Sequence, residues 1–387
     1  MSSDSIHRAR KIGNGGPPAY NAAMLPISLG PAGLFTVMSL VLPSTAASAG
    51  PGSQPAETEP ARLSIRETEI LTPDGQPIRF RGFNLLWWVP PTAQDVADIK
   101  DLGANCVRYQ FGYVPSGQFD PRQLRFLRRH VRLFTSQGLW VIPNLHAFRA
   151  DGRPDSGNVW NAPALHREFL DMWDYILNLL KDEPFIAAWE PINEPHDVDR
   201  TKLAPWYREV IAHFRRTDAR TPIVIEGAEY SGAEELLDYL KLDDPNLIYS
   251  FHFYHPHEYT HMLHPENRPL LEYPGTWGKA ALAERMSTAV RFRDRHRVPV
   301  FCGEWGVRTG APGYTQWLKD VGSLLEEHKI PWAHWAWAMQ RHWPINDTFD
   351  LNRQKTEIYG VVSAILRNAL SGDQTKPDHR NATRQAE

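Results

Sequence analysis

Two glutamates lie in short segments whose composition is typical of a catalytic site. Glu194 belongs to residues 189–195 (WEPINEP), and Glu304 belongs to residues 301–306 (FCGEWG). Each follows an apolar run with the length and composition of a β-strand. Two facing carboxylates can cleave a glycosidic bond, because one protonates the leaving oxygen while the other attacks the anomeric carbon. A single glutamate is more often a salt-bridge partner, so this hypothesis depends on which other residues lie beside these two.

The elements that must position these carboxylates are eight apolar, strand-like runs. The first, residues 78–83, follows a predicted hairpin turn at 73–75, and the others are 105–111, 139–146, 185–192, 222–226, 247–254, 298–304 and 331–337. Helical patterns lie between them, for example at 121–137 and 165–181. Eight strands that alternate with helices predict an α/β protein with a (β/α)8 barrel, the TIM barrel, as its single catalytic domain.

Polar or aromatic residues occur where most of these runs end. In a (β/α)8 barrel the active site is built at the carboxyl ends of the strands, so such residues are candidates for the site. They are Arg108, His146, Asn193, Glu194, Glu226, His252, Tyr254, Glu304 and Trp335. His252 and Tyr254 are two residues apart on one strand, so we expect both side chains to point towards the barrel axis.

The chain divides into four predicted regions. Basic residues at positions 8, 10 and 11, an apolar run at 33–42 and small residues at 47–49 predict a signal peptide over 1–49. Translation from Met24, or an uncleaved membrane anchor, is the alternative. Residues 50–61 have the Pro- and Gly-rich composition of a linker, 62–370 form the predicted catalytic domain, and 371–387 form a polar tail. The predicted location is therefore secreted or periplasmic.

The net charge and the distribution of basic residues indicate which kinds of molecule the protein can bind. The formal net charge of the 387 residues is -3, and the basic residues are scattered, so we expect no binding to nucleic acid and none to a membrane after signal cleavage. The expected partner is an uncharged polysaccharide or oligosaccharide, and the expected state is a monomer. Cys106 and Cys302 lie in different, non-adjacent predicted strands, so we predict two free thiols.

Three motifs resemble those of the family 5 glycoside hydrolases, the cellulase family. They are Asn193-Glu194-Pro195, His252-Phe253-Tyr254 and Gly303-Glu304-Trp305-Gly306, in the family's order, and the resemblance covers about residues 65–370. It implies that Glu194 is the acid/base and Glu304 the nucleophile of a reaction that retains configuration. It also implies that Arg108, His146, Asn193, His252, Tyr254 and Trp335 bind substrate. No cofactor and no metal ion are expected.

Several alternatives remain open at this point. The favoured activity is that of an endo-β-1,4-glucanase, with an endo-β-mannanase, another β-glycan hydrolase or a transglycosylase as the alternative. A sugar-binding barrel without activity would require the loss of Glu194 or Glu304, and both are present. A zinc site in the His-rich residues 252–264 is disfavoured because no HExxH or CxxC motif accompanies it.

Some residues near the predicted site have an open role. Trp87 and Trp88 either extend a sugar-binding floor or are buried, and Trp337 either competes with Trp335 as the sugar platform or packs against helices. Glu190 and Glu226 are expected to support the site without reacting.

Overall fold

The structure is a computed structural model that describes residues 60, 62–148, 159–160, 162–261, 271–338, 348 and 354–374. The predicted signal peptide, nearly all of the predicted linker and the end of the predicted tail lie outside these residues. Within the described part of the chain, no helix is long and apolar enough to cross a membrane.

A small antiparallel sheet precedes the barrel. Its strands are β1 (Ser64–Arg66), β2 (Glu69–Leu71) and β3 (Pro77–Ile78). The predicted turn between β2 and β3 contains Gly75, whose φ of +80° favours glycine. Leu63 and Ile70 pack in one cluster with inward-facing residues such as Ile142 and Phe301. The sheet therefore contributes to the apolar core inside the barrel.

Seven parallel strands form the main sheet. They are β4 (Arg81–Leu85), β5 (Cys106–Tyr113), β6 (Trp140–Phe148), β7 (Ile223–Glu226), β8 (Leu247–Phe253), β9 (Val300–Trp305) and β10 (Trp332–His334). Their order across the sheet is β6-β5-β4-β10-β9-β8-β7. The two outermost strands, β6 and β7, both pair with the segment predicted as the fourth strand.

That segment connects the edges of the sheet through isolated parallel bridges. Ile186 bridges Val141 of β6, Glu190 bridges Asn144 of β6, and Trp189 bridges Ile223 of β7. Pro191 has no N–H to donate, which limits how far regular pairing extends. The predicted (β/α)8 barrel is confirmed. Its fourth strand position is occupied by a segment that forms isolated bridges instead of a continuous strand.

Helices lie between most of the strands, three short 3-10 turns lie between β7 and β8, and one helix follows the last strand. The helices are α1 (Ala93–Asp101), α2 (Leu127–Thr135), α3 (Pro163–Leu180), α4 (Arg200–Thr217), α5 (His257–Thr260), α6 (Gly278–His296), α7 (Tyr314–Glu327) and α8 (Glu357–Gln374). The helix predicted at 121–137 divides into a 3-10 turn, Pro121–Leu124, and α2. α8 extends four residues beyond the predicted domain boundary at 370.

The two cysteines are buried and free, as predicted. Cys106 lies on β5 and Cys302 on β9, and β4 and β10 separate these two strands in the sheet. The strand order therefore agrees with the prediction that the pair is not linked.

Candidate active site

The inward-facing residues of the barrel form an apolar layer followed by a polar layer. The apolar layer includes Cys106, Ile142, Ala188, Val224 and Ile248, which pack in one cluster. Side chains on one face of a strand recur every second residue. Two positions further along the chain the residues are Arg108, Asn144, Glu190, Glu226 and Ser250, all fully buried. The chain thus places polar groups in one layer at the carboxyl ends of the strands.

Arg108 is at the centre of this polar layer. Its guanidinium donates two hydrogen bonds to Glu190, at 2.7 and 2.9 Å, and one of 2.6 Å to Glu304 Oε1. A further bond of 2.7 Å goes to the Asn193 side chain. Burial alone would lower the pKa of Arg108, but Glu190 and Glu304 raise it above its ordinary value. The permanently charged guanidinium therefore fixes Glu190, Glu304 and Asn193 relative to one another.

Glu304 is nearly enclosed, with 4% of its side chain exposed. Its Oε2 accepts a 2.9 Å hydrogen bond from the Tyr254 hydroxyl, while its Oε1 accepts from Arg108. Burial raises the pKa of the Glu304 carboxyl, and the positive charges of His252 and Arg108 oppose that shift. These contacts orient both carboxylate oxygens.

A register shift in the sheet brings Glu304 into this position. The pairing of β8 and β9 shifts between Phe251 and His252, so that His252 pairs with Glu304. Gly303 stands at this point, and a Cβ there would lie only 2.6 Å from the Ser250 hydroxyl oxygen. Irregular pairing of this kind commonly redirects a side chain next to an active site.

The Glu194 side chain is more exposed than that of Glu304, and the Glu194 backbone is strained. Its side chain is 26% exposed, and its φ of +46° is in the left-handed region, which is costly for a residue other than glycine. Its backbone N–H donates to the Glu226 carboxylate. Its Oε1 lies 2.7 Å from His252 Nδ1. Contacts from neighbouring strands therefore hold the strained residue.

His252 lies between three carboxylates. Its Nδ1 is 2.7 Å from Glu194 and 3.7 Å from Glu304, and its Nε2 is 3.1 Å from Glu226. Burial alone would lower the pKa of His252, but Glu304 and Glu226 raise it well above its ordinary value. The surrounding carboxylates therefore favour the positively charged form of the imidazole.

Glu194, His252 and Glu304 can each direct one ligand atom towards a common point, with these atoms within 4.8 Å of one another. In the part of the chain that the structure describes, this is the one group of its kind. Arg108 and charged His252 already neutralise these carboxylates, which disfavours a cation. The other described histidines of the His-rich stretch are His255, His257 and His261, and none of them joins this group; His264 lies outside the described residues.

Aromatic residues line the same end of the barrel. Trp335 stacks on the His146 ring at 5.3 Å, and His146 Nδ1 lies 4.0 Å from Glu304. Trp337 is instead buried beside Phe83 and donates to Asp95 of α1 at 2.8 Å. The structure therefore brings Trp335, and not Trp337, next to the carboxylates.

The two adjacent tryptophans have different surroundings. Trp87 is partly buried, and its ring centre lies 6.2 Å from that of His146. Trp88 contacts Trp87 edge to face and is 44% exposed. Trp88 therefore exposes nearly half of its surface to solvent beside Trp87.

Three buried polar residues of this layer were missed by the sequence analysis. Asn84 accepts a 2.9 Å hydrogen bond from Arg108 and donates one of 2.9 Å to the Gly303 carbonyl oxygen. Gln110 donates to Asn84 at 3.1 Å, and Asn144 is also fully buried. Each is a polar residue two positions after an inward-facing residue of its strand, and this spacing is the signal that would have identified it.

Comparison with known proteins agrees with this geometry. The family described as Cellulase (glycosyl hydrolase family 5) matches residues 71–341. The chain is 25% identical to Endoglucanase C of Acetivibrio thermocellus over 284 residues, which are 63% of this chain and 83% of that protein. It is also 25% identical to Cellodextrinase A of Ruminococcus flavefaciens, over 61% of this chain and 75% of that protein.

Solved structures share the fold. A hyperthermophilic endo-β-1,4-glucanase in complex with substrate has a TM-score of 0.63 at 22% identity, covering 74% of this chain and 96% of that one. Thermotoga maritima Cel5A in complex with mannotriose also has a TM-score of 0.63 at 22% identity, covering 75% and 97%.

Proposed function

We propose that this chain, which belongs to the cellulase family of glycosyl hydrolases (family 5), cleaves β-1,4-linked polysaccharide with retention of configuration. In this proposal Glu304 is the nucleophile and Glu194 the acid/base. The observation that carries it is the approach of their carboxylate oxygens to within 4.8 Å. Retaining glycosidases have carboxyl groups about 5–5.5 Å apart, whereas inverting ones leave a wider gap for water.

The first step is attack on the anomeric carbon. Arg108 and Tyr254 hold the two oxygens of ionised Glu304 in place, so that Oε1 or Oε2 meets the sugar without reorientation. The C–O bond to the leaving sugar breaks while Glu194 transfers its proton to that oxygen. The products are a glycosyl ester on Glu304, an ionised Glu194 and a free sugar end.

The second step reverses these roles. Glu194 removes a proton from a water molecule, whose oxygen attacks the anomeric carbon and displaces the Glu304 carboxylate. The partial exposure of Glu194 suits this exchange with water. Asn193, held by Arg108, is in place to bond the sugar hydroxyl next to the cleaved bond. Trp335, stacked on His146, supplies an apolar face for the sugar ring.

The favoured substrate is a β-1,4-glucan cut internally. Relatives named endoglucanases support this choice. β-Mannan is the second candidate, because one structural neighbour was solved with mannotriose. Initial rates on carboxymethylcellulose, mannan, xylan, xyloglucan and laminarin test the choice: we expect the highest kcat/KM on carboxymethylcellulose, and a higher value on mannan would reassign the substrate.

Proton NMR of the first product released from a β-linked oligosaccharide tests retention. We expect the β-anomer before mutarotation, and an initial α-anomer would exclude Glu304 as nucleophile.

Export and a monomeric state complete the proposal. Protein recovered outside the cytoplasm should begin near Gly50, and light scattering should give the mass of one chain. Protein kept in the membrane fraction with Met1 or Met24 intact would support the anchor instead.

A further inference from the structure

Glu226 is a buried carboxylate that the mechanism above does not use. It ends β7 and has no exposed surface, so it does not reach substrate. Its Oε1 lies 3.1 Å from His252 Nε2 and 3.3 Å from Arg108, and its Oε2 accepts the backbone N–H of Glu194. Glu226 therefore contacts the neighbours of both catalytic residues without being able to react.

We propose that Glu226 is a positioning residue that keeps His252 charged throughout the reaction cycle, and thereby keeps Glu194 ionised as the base of the second step. This inference rests on the proposed function. The charge of Glu226 keeps on His252 a proton that would otherwise be shared between His252 and Glu194.

The charges that surround His252 support this role. Three carboxylates contact its ring: Glu194 and Glu304 face Nδ1, and Glu226 faces Nε2. The other charged or titratable groups of the layer lie beyond these three. Arg108 contacts Glu226 and Glu304, and Tyr254 and His146 contact Glu304. Glu190 contacts Arg108 and hydrogen-bonds with Glu226, and the Tyr207 hydroxyl accepts the backbone N–H of Glu226.

Two of the three carboxylates change charge during turnover. Glu304 becomes a neutral ester when the glycosyl-enzyme forms, and Glu194 alternates between acid and carboxylate. Glu226 takes no part in either step, and although burial raises its pKa, His252, Arg108 and a hydrogen bond with Glu190 lower it below the ordinary value, which favours the ionised form. Glu226 is thus the one constant counter-ion of His252.

Loss of the Glu226 charge would allow the His252 proton to move to Glu194 before the second step. In the glycosyl-enzyme without a negative Glu226, His252 would have Glu194 as its remaining charged contact, 2.7 Å from Nδ1. The proton would pass from Nδ1 to Glu194 Oε1, which leaves a neutral imidazole and a neutral carboxylic acid. A protonated Glu194 cannot accept a proton from water, so hydrolysis of the ester would slow.

Glu226→Gln tests this step, because it keeps the shape and removes the charge. With a dinitrophenyl β-cellobioside, whose leaving group needs no acid, we expect one equivalent of phenol in a burst and then a steady rate about 10²-fold below wild type, the lower end of the usual contribution of base assistance. Azide, which attacks without a base, should restore the steady rate and yield a β-glycosyl azide.

The pH profile separates this effect from loss of Glu194 itself. Raising the pH removes the shared proton and restores the Glu194 carboxylate, so the steady rate of Glu226→Gln should rise with pH towards wild type. The steady rate of Glu194→Ala should not recover, because that variant has no base to ionise.

Glu190→Gln is the matched control. Glu190 is also fully buried and bonded to Arg108, and it interacts with Glu226, whereas Glu226 itself lies against the His252 ring. We expect no burst and no azide response from this variant, whatever its overall rate. A folded Glu226→Gln enzyme without a burst, or with the same burst as Glu190→Gln, would overturn the inference.

If Glu226→Gln does not fold, the charge of His252 can be measured in the wild-type protein instead. Protein labelled with 15N-histidine is trapped with a 2-deoxy-2-fluoro cellobioside, and the His252 signals are identified by their loss in His252→Asn. Both ring nitrogens should carry protons in the trapped enzyme at neutral pH. A neutral ring would overturn the inference, whereas wild-type protein that cleaves no β-glycoside would overturn the proposed function as well.

Discussion

Glu304 and Glu194 have the same side chain and opposite surroundings. Glu304 is 4% exposed, lies within strand β9 and has both oxygens bonded by Arg108 and Tyr254. Glu194 is 26% exposed, follows the irregular fourth segment and has a left-handed backbone. A nucleophile benefits from a fixed orientation, whereas an acid/base must exchange protons with substrate and water. The difference in enclosure therefore corresponds to the difference in the proposed roles.

Glu304→Ala should have the largest effect. In the proposed mechanism Glu304 forms the covalent intermediate, so we expect kcat to fall by about 10⁴-fold or more on polymer and on activated aryl glycosides alike. Initial rates on both substrates check this, with circular dichroism as the control for folding. Activity on the aryl glycoside close to wild type would show that another residue attacks.

Glu194→Ala should separate the two kinds of substrate. Polymer hydrolysis should fall by about 10²- to 10⁴-fold, the usual contribution of acid/base assistance. A dinitrophenyl glycoside should still give a burst of phenol followed by slow release that azide accelerates. If the polymer rate stays within about threefold of wild type, the proton comes from elsewhere, and Glu190 is the next residue to change.

Tyr254→Phe should shift the pH dependence of the reaction. Burial raises the pKa of Glu304, so the acid limb of kcat/KM should lie above the ordinary titration range of a glutamate. The tyrosine hydroxyl bonds the ionised form, and its removal should move this limb to higher pH and lower the rate by about 10-fold. An unchanged limb would assign the acid ionisation to another group.

Trp88→Ala should have the smallest effect on the reaction. If exposed Trp88 extends the sugar-binding floor, KM for polymer should rise by about 2- to 10-fold, with kcat and the thermal midpoint unchanged. Leu237→Ala, which removes a similarly exposed apolar side chain (39% against 44%), is the control and should change neither parameter. Equal KM values for Trp88→Ala and wild type would show that Trp88 is not part of the sugar-binding floor.

The structure brings together the residues that the sequence singled out, and it adds three buried polar residues of the same layer. Arg108, His146, Asn193, His252, Tyr254 and Trp335 all lie at the polar end of the barrel with the two glutamates. Asn84, Gln110 and Asn144 were missed because candidates were sought where the apolar runs end, although a spacing of two residues places these three on the inward face as well. Which face of a strand points inward depends in turn on the register of the neighbouring strands.

The amino-acid sequence by itself determined the number and order of the strands, and so the (β/α)8 class. Apolar runs alternate with amphipathic segments eight times, and hydrophobic burial leaves few other ways to cover such strands. It also determined which two carboxylates end the fourth and seventh runs.

Tertiary structure alone decided how those carboxylates differ. The register shift beside Gly303, the enclosure of Glu304 by Arg108 and Tyr254, and the contact of Glu226 with His252 join residues that are far apart in the chain. Charge interactions and desolvation depend on distances of a few ångströms between such residues. Those distances exist only when the barrel closes, because its closure brings the eight strand ends into one layer.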